Sequence, residues 1–398
     1  MQPSIQIPPS DYVARQQRLL IHLNEQLLSG VVLYDNYYIS YYSGFAFIPT
    51  ERPMAFIMNA EGERALFVPR LELEHAQSAA HVDKVAHYAE YPSVPHPSSV
   101  LADLLGEMGI KETIGADSDG YPWILGYQGP DLSDQMGAKV KRISAFVEAQ
   151  MAIKSQAELA LIRESCKWGN LAHRLLQKYT KVGITETEVS MRASQEATLA
   201  LIETLGPLYR AQSMFSPGAS AGYRGQIGRN AAIPHAMTTN ASFLAGDVLV
   251  TGAGCAMWGY HSELERTMIV DTPSEEQRHF FHHAKTAQEV AFDAMRAGVK
   301  CSAVDQAVRD YYDENNLMPY WKHHTGHAIG LRYHEGPFLD IGDHTVLEAG
   351  MVFTVEPGLY VENLGGFRHS DTVAITEDGL EMMTYYPRDL ESLTIAPN

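Results

Sequence analysis

The order of hydrophobic and polar positions predicts a helix followed by short strands in the first part of the chain. Residues 10–27 carry apolar side chains at helical spacing, and Ser10 is a candidate N-cap. The β-rich runs that follow are broken by turn residues and read GVVLYD, ISYYSGF, MAFIMN and RALFVP. The alternation of helix and strand continues less regularly to about residue 150, which predicts a small α/β domain.

Beyond residue 153 the pattern changes to long amphipathic helices separated by strand-like segments. The predicted helix starts are Ser155 with Glu158, Thr185 with Glu188, Ser274, and Ser302 with Asp305. The first of these helices runs to Gly183 and the second to about Leu205. The strand-like segments are 247–254, 259–270, 351–361 and 366–376. Helices on one side of a mostly antiparallel, curved sheet make an α+β fold, with domains at 1–153 and 154–398.

Composition narrows the class of protein. The 398 residues are 45% hydrophobic and 20% charged, which is typical of a globular protein of two or three domains and excludes disordered, fibrous and coiled-coil chains. A net charge of -18 disfavours nucleic acid as a partner. The sequence has no apolar run long enough to predict a membrane span, and its first residues do not have the pattern of a secretory signal. The three widely spaced cysteines indicate a reducing cytoplasm.

Residues that could take part in catalysis or bind a ligand cluster in the second half of the chain, at strands and turns. The candidates are His235, Glu263, Glu265, His327, His334 with Glu335, Glu356, and Arg368 to Asp371. Glu263 and Glu265 stand two apart in a predicted strand, so their side chains are expected on the same side. Paired carboxylates with nearby imidazoles favour acid–base or nucleophilic chemistry.

Five segments in this half, in this order, resemble the pita-bread fold shared by methionine aminopeptidase, aminopeptidase P, prolidase and creatinase: GDVLVTGAG, GYHSELERT, TGHAIGLRYHEGP, MVFTVEPG and GGFRHSDT. The first part of the chain resembles the additional domain of the prolidase and creatinase branch. The resemblance implies a curved antiparallel sheet flanked by helices. It also implies a homodimer in which the N-terminal domain of one subunit approaches the active site of the other.

The metallopeptidases of this family hold two metal ions with Asp, Asp, His, Glu and Glu. Carried over by position, those ligands fall on Gly252, Glu263, His327, Glu356 and Ser370. Because glycine has no side-chain ligand and serine is a poor one, two ions are not expected. One weakly held ion is conceivable. We therefore predict a working site with no metal and no other cofactor.

Creatinase is the metal-free member of the family, and the local resemblance to it is closer. It implies that Glu265 and Glu356 contact a planar cation, that His235 is the catalytic histidine and that Arg52 binds a substrate carboxylate. Further candidates for substrate contact are Arg332, His334, Tyr223 and Trp258. The whole chain is most similar to the ectoine hydrolases.

That similarity implies ring opening of a cyclic amidine, ectoine or hydroxyectoine, to N-acetyl-2,4-diaminobutyrate. Glu265 and Glu356 would hold the amidinium by charge-assisted hydrogen bonds. His235 would transfer protons and His327 would orient the intermediate. Direct attack by Glu263 or Glu265 remains an alternative to base-activated water.

Three other functions stay open at this point. They are a creatinase, a metallopeptidase with a rebuilt one-metal site, and a catalytically inactive module that binds a ligand or partner.

Overall fold

The chain forms two compact units in a computed structural model that describes residues 5–213 and 217–396. One unit spans Ile7–Met151, and the other begins at Ala152 and takes in the rest of the described chain. Within the described residues, no helix has the length and apolar character that crossing a membrane requires.

The first unit is built on a six-stranded sheet in the order β4-β3-β2-β1-β5-β6. Strand β1 pairs antiparallel with β2 and parallel with β5. The strands are β1 Gly30–Leu33, β2 Ala55–Asn59, β3 Arg64–Pro69, β4 Lys84–Tyr88, β5 Thr113–Ala116 and β6 Lys139–Arg142. The helices are α1 Pro9–Glu25, α2 Asn36–Ser43, α3 Leu73–Ala79, α4 Pro97–Glu107, α5 Leu132–Met136 and α6 Ser144–Ala152.

Two details of this unit differ from the sequence-based expectation. Helix α1 begins at Pro9, with Pro8 as its N-cap, so Ser10 lies inside the helix and does not cap it. The run ISYYSGF belongs mostly to helix α2 and not to a strand. Asp35 caps α2 by accepting hydrogen bonds from two backbone N–H groups, and Gly44 ends it at φ 75°. These caps select the helix although its tyrosine-rich sequence suits a buried strand equally well.

The second unit has an eight-stranded sheet, in which β13-β12-β14-β17-β10-β9-β7 form a path and β18 pairs with β17. Every pairing in this sheet is antiparallel, as predicted. Its strands are β7 Ala219–Gly222, β9 Gly252–Cys255, β10 Leu264–Glu265, β12 Gly326–Ala328, β13 Glu335–Leu339, β14 Val352–Val355, β17 Ser370–Thr376 and β18 Gly379–Met382. Smaller sheets contain β8 Val248–Val250, β11 Thr267–Val270, β15 Gly358–Val361, β16 Gly365–Arg368 and β19 Thr394–Ile395.

The helices of this unit are α7 Gln156–Tyr179, α8 Glu186–Leu205, α9 Glu275–Ala294 and α10 Cys301–Glu314. The predicted caps Ser155, Thr185 and Ser274 are confirmed, because each side chain accepts a hydrogen bond from the backbone of the first turn. The fourth start is wrong: the cap position of α10 is Lys300, and the carboxylate of Asp305 binds Thr325 and Arg309 instead.

The strand order explains how residues far apart in sequence meet. The strands β12, β14, β17, β10 and β9 lie side by side, and each carries or borders one of the candidate positions. In the β10–β17 pair, Glu265 stands opposite Ser370. The sheet therefore collects His327, Glu356 and Glu263 within one short stretch of its surface.

A buried ion pair fixes the turn between β12 and β13. Nζ of Lys154 lies 2.9 Å from Oε2 of Glu335, and each side chain is only 1% exposed. The other carboxylate oxygen of Glu335 accepts a hydrogen bond from the backbone N–H of Arg332. Burying two charges is tolerable only while they remain paired.

We predict that Lys154→Met lowers the free energy of unfolding by about 3–5 kcal/mol, because Glu335 is left charged and buried. The matched control is Arg163→Met, which breaks an ion pair with Glu381 whose side chains are 39% and 31% exposed. It should cost less than about 1 kcal/mol. Urea denaturation measures both, and equal losses would contradict the prediction.

Candidate active site

Three potential metal-binding side chains converge at the centre of the second unit. The ligand atoms of Glu263, His327 and Glu356 all lie within 4.8 Å of one another. Nε2 of His327 is 3.2 Å from Oε1 of Glu356, and Nδ1 lies 2.9 Å from the carbonyl oxygen of Ala328. If Nδ1 donates to that carbonyl, the imidazole is fixed with Nε2 facing the two carboxylates.

Glu263 is held by the strand beside it. The hydroxyl of Ser370 donates to Oε1 of Glu263 at 2.8 Å, and the backbone N–H of Glu263 donates to Thr372 at 2.9 Å. The resemblance carried a metal-ligand position over to Ser370. In the structure, its hydroxyl instead orients the carboxylate of Glu263.

Glu265 is bound by two arginines. Arg368 donates to both of its carboxylate oxygens, through Nε and through Nη2, the latter at 2.8 Å. Nη2 of Arg224 lies 3.0 Å from Oε1 of the same carboxylate. Glu265 and Arg368 are both 2% exposed, so this is a buried bidentate pair. Internal guanidiniums bind both oxygens, and the predicted role of Glu265 in holding a cationic substrate stays a prediction.

The crowding of charge shifts the pKa values of these side chains. Burial and the charges of Glu356 and Glu265 raise the pKa of Glu263 to about 7. Burial alone would lower the pKa of His327, but the carboxylates of Glu356 and Glu263 raise it to about 9. Burial also opposes ionisation of Glu356, yet His327 and Arg368 lower its pKa below the ordinary value.

A cavity of about 400 Å³ lies against these groups. Glu263, Glu265 and Arg224 line it together with His334 and the glycines of strands β7 and β9. Its size suits a substrate of a few hundred daltons. Its lining of charged side chains and small residues suits a polar ligand beside Glu263.

The residues present fit one divalent cation and do not fit two. A carboxylate, an imidazole and a second carboxylate are the donor set of many one-metal sites, and Nε2 of His327 is a buried nitrogen that faces the carboxylate of Glu356 at 3.2 Å. A second ion would need carboxylates at Gly252 and Ser370. A Cβ added to Gly252 would meet only Oε1 of Glu265, at 3.7 Å, and that oxygen already binds two arginines.

Two further histidines lie near the donors. The ring of His334 stacks on that of His327 with centroids 3.8 Å apart, and His334 lines the cavity. Desolvation and the charge of His327 lower the pKa of His334 to about 4. His235 is exposed in a turn and its charge also acts on His334, so its predicted catalytic role remains a prediction.

Four residues predicted to contact substrate make other contacts in the structure, and their predicted roles stay predictions. Tyr223 is fully buried and packs edge-on against Phe243, so it belongs to the core. The indole of Trp258 donates to the carbonyl of Leu208 at 3.2 Å and is not among the cavity-lining residues.

Arg332 contributes its backbone N–H to Glu335 and also lies outside the cavity lining. Arg52 belongs to the first unit, where its guanidinium pairs with Glu51 and Glu90. Its predicted contact across a dimer stays a prediction.

Sequence reasoning included Arg368 among the candidates but did not predict its pairing with Glu265, and it missed Arg224 and the orienting role of Ser370. Arg368 stands in the quoted segment GGFRHSDT, two residues before a carried-over ligand position. Arg224 lies in a glycine-rich loop with no periodic pattern, so nothing local pointed to it.

Comparisons with known proteins agree with this architecture. A model of metallopeptidase family M24 matches residues 160–377, and a model of the creatinase/prolidase N-terminal domain matches residues 15–150. The predicted pita-bread fold with a creatinase-type N-terminal domain is confirmed.

Relatives cover nearly the whole chain. An Xaa-Pro dipeptidase of Pyrococcus furiosus is 27% identical over 94% of this chain and 99% of its own. A probable dipeptidase, PepE, of Mycobacterium tuberculosis is 28% identical over 91% of this chain and 92% of its own. Among solved structures, the dipeptidase PepE of Mycobacterium ulcerans has a TM-score of 0.80 at 25% identity, covering 98% of this chain and 100% of its own. An Xaa-Pro dipeptidase from Bacillus anthracis has the same fold, with a TM-score of 0.80 at 24% identity, covering 95% and 99%.

These findings correct the functional prediction. The prediction of a hydrolase is confirmed, but ring opening of ectoine is wrong, because the relatives are named as dipeptidases and the matched family consists of metallopeptidases. Similarity to ectoine hydrolases is not shown. A metal-free mechanism is not supported either, since the three converging donors fit one cation.

We predict that the affinity of chelator-treated protein for Mn²⁺ or Zn²⁺ rises with pH between 7 and 9, by up to about tenfold per unit. His327 carries a proton up to a pKa of about 9, and a cation must displace that proton from Nε2. Calorimetry in buffers of different ionisation enthalpy measures the released proton. His279→Ala, an exposed histidine of α9, should leave the slope unchanged; an affinity independent of pH would contradict the prediction.

Proposed function

We propose a function for this chain on the premise that it belongs to metallopeptidase family M24, whose model matches more than half of it. The function is hydrolysis of the peptide bond in a substrate of about dipeptide size, with one divalent cation. The observation that carries the proposal is the convergence of Glu263, His327 and Glu356, whose ligand atoms lie within 4.8 Å of one another.

Two further observations support a small peptide as the substrate. Relatives that cover nearly the whole chain are named Xaa-Pro dipeptidase or dipeptidase. The cavity of about 400 Å³ beside the donors has room for two amino-acid residues.

Glu263, His327 and Glu356 would hold the cation, with Ser370 orienting Glu263 through its hydroxyl. A bound divalent cation of this kind polarises a carbonyl oxygen and lowers the pKa of bound water. Ligand orientation by a second layer of hydrogen bonds is worth about 10–100-fold in affinity or activity in known metal sites. Ser370 is therefore a positioning residue and not a ligand.

The remaining polar groups act on the substrate and on protons. His334, on the cavity wall above His327, is placed to donate a hydrogen bond to an oxygen that gains negative charge. His235 is exposed near His334 and can exchange protons with solvent, which suits delivery of a proton to the leaving nitrogen. Glu265 and Arg368 take no direct part in proton transfer, because both carboxylate oxygens of Glu265 already accept hydrogen bonds from Arg368.

The direct test uses chelator-treated protein reloaded with Mn²⁺, Co²⁺ or Zn²⁺. Incubation with Xaa-Pro and other dipeptides should release free amino acids, detected by mass spectrometry, and one equivalent of metal should restore full activity. Metal analysis of the active protein should find one tightly bound ion per chain, because Gly252 and Ser370 supply no carboxylate for a second.

Absence of dipeptide hydrolysis at every metal loading would refute the proposed function. Undiminished hydrolysis after complete removal of metal would refute the role assigned to the three donors.

We predict that Glu356→Gln and His327→Ala each reduce kcat/KM for dipeptides by at least about 100-fold, the scale of lost metal ligands or electrostatic groups. Glu362→Gln is the matched control, since Glu362 is exposed and lies six residues further along the chain. Both active-site variants should also lose the bound ion in metal analysis. Near-normal rates with retained metal would contradict the assignment.

A further inference from the structure

We propose that a separate cleft in the second unit binds a small polyanion, such as a compound that carries a diphosphate or triphosphate group. The cleft has a volume of about 710 Å³ and lies between the C-terminal end of helix α7 and the last described segment, 386–396. We call it the α7 cleft. It shares no lining residue with the cavity beside Glu263, so this inference does not depend on the proposed function.

The charge of its lining indicates an anionic ligand. Three cations, Arg174, Lys178 and Lys181, line the α7 cleft, and none of its described lining residues is acidic. The whole chain has 48 acidic residues against 30 basic ones, so a lining with only positive charge departs from its composition. Asp389 and Glu391 belong to the segment that forms the other wall, but they lie outside the lining. An anion in the cleft therefore meets three cations and no carboxylate of the lining.

Two of these cations have no counter-ion in the described part of the chain. Neither Arg174 nor Lys181 forms an ion pair or a side-chain hydrogen bond with a described residue. Lys178 lies 3.8 Å from Glu196, and with side chains 60% and 47% exposed this pair contributes little. Because Arg174 and Lys178 are four residues apart on α7, their side chains lie on the same face and repel each other. A polyanion would offset this repulsion and accept charge-assisted hydrogen bonds from both.

The walls of the α7 cleft are joined by hydrogen bonds, so the cleft is already formed without a ligand. The side-chain amide of Gln177 accepts from the hydroxyl of Tyr386 at 2.6 Å and donates to the carbonyl of Ser392 at 2.7 Å. The buried guanidinium of Arg266 donates to the carbonyls of Tyr386 and Pro387, at 3.0 and 2.8 Å. Binding between walls held in this way costs little ordering of the protein.

The arrangement of the cations favours a ligand with several negative charges. Arg174 and Lys178 are separated by about 6 Å along the helix axis. Lys181 follows the C-cap Thr180 and extends the row beyond the helix. A single carboxylate has one charge and two adjacent oxygens, so it cannot contact the whole row. A diphosphate or triphosphate has several charges and strong acceptor oxygens spread along a chain of atoms.

The test is titration of inorganic pyrophosphate into chelator-treated protein in a calorimeter, so that no metal ion binds the probe. Wild type should bind pyrophosphate with a Kd below about 1 mM at low ionic strength, and more weakly as salt is added. Arg174→Ala and Lys181→Ala should each weaken binding by at least about tenfold, the scale of a lost hydrogen bond to a charged group. Arg174→Lys should keep part of the affinity, because lysine retains the charge but not the guanidinium fork.

Lys167→Ala is the matched control, since Lys167 is an exposed cation of the same helix outside the cleft lining. Arg224→Ala shows whether the probe binds in the cavity beside Glu263 instead. Both variants should keep the wild-type affinity. The proposal is overturned if wild type does not bind pyrophosphate, if acetate binds as tightly, or if Arg174→Ala and Lys181→Ala bind pyrophosphate as well as wild type does. Loss of binding in Arg224→Ala alone would overturn it too.

Discussion

The structure of the site depends on how the repulsion among three close carboxylates is offset. Glu263, Glu265 and Glu356 meet in a largely desolvated region, where like charges repel far more strongly than in water. The repulsion is offset differently at each carboxylate. Glu265 binds the guanidinium of Arg368 through both oxygens, and Glu356 lies beside the imidazole of His327 and 3.7 Å from Arg368. The pKa of Glu263 is raised, which favours its protonated form.

The departures at Gly252 and Ser370 and the arginine pairing of Glu265 belong together physically. A site without two of its acidic ligands has fewer negative charges with which to hold a second dication. The carboxylate that does stand in front of Gly252 is neutralised by Arg368 and Arg224 instead. A fixed guanidinium is always charged and cannot be lost to a chelator. Under the proposed function, the guanidiniums therefore stay in the part of the site around Glu265, while the part around Glu263 would bind an exchangeable ion.

Sequence reasoning succeeded where a local pattern has one physical outcome. Capping residues such as Ser155 and Ser274 identified helix starts, because a side chain that binds its own first turn needs no distant partner. It failed at Asn36–Ser43, where a tyrosine-rich run fits a strand or a buried helix equally well.

At the site, the ordered motifs identified the fold and the three converging donors. The pairing of Arg368 with Glu265, 103 residues apart in the chain, is a tertiary event that no local spacing encodes. The resemblance to metal-free relatives led to the prediction of ectoine ring opening, which the dipeptidase relatives contradict. The role of Glu265 was assigned without knowledge of its arginine partners. The partner of a buried charge, and not its residue type, determines what that charge can do.

The ion pair of Lys154 with Glu335 has a consequence for dissecting the protein. Lys154 lies two residues after Ala152, and its partner Glu335 is the first residue of strand β13, directly after the turn that carries His334. A fragment that starts at Ser155 would retain every potential ligand yet leave a buried carboxylate without its counter-ion. The minimal catalytic fragment is thus set by electrostatics, and it must include the short segment that leads out of the first unit.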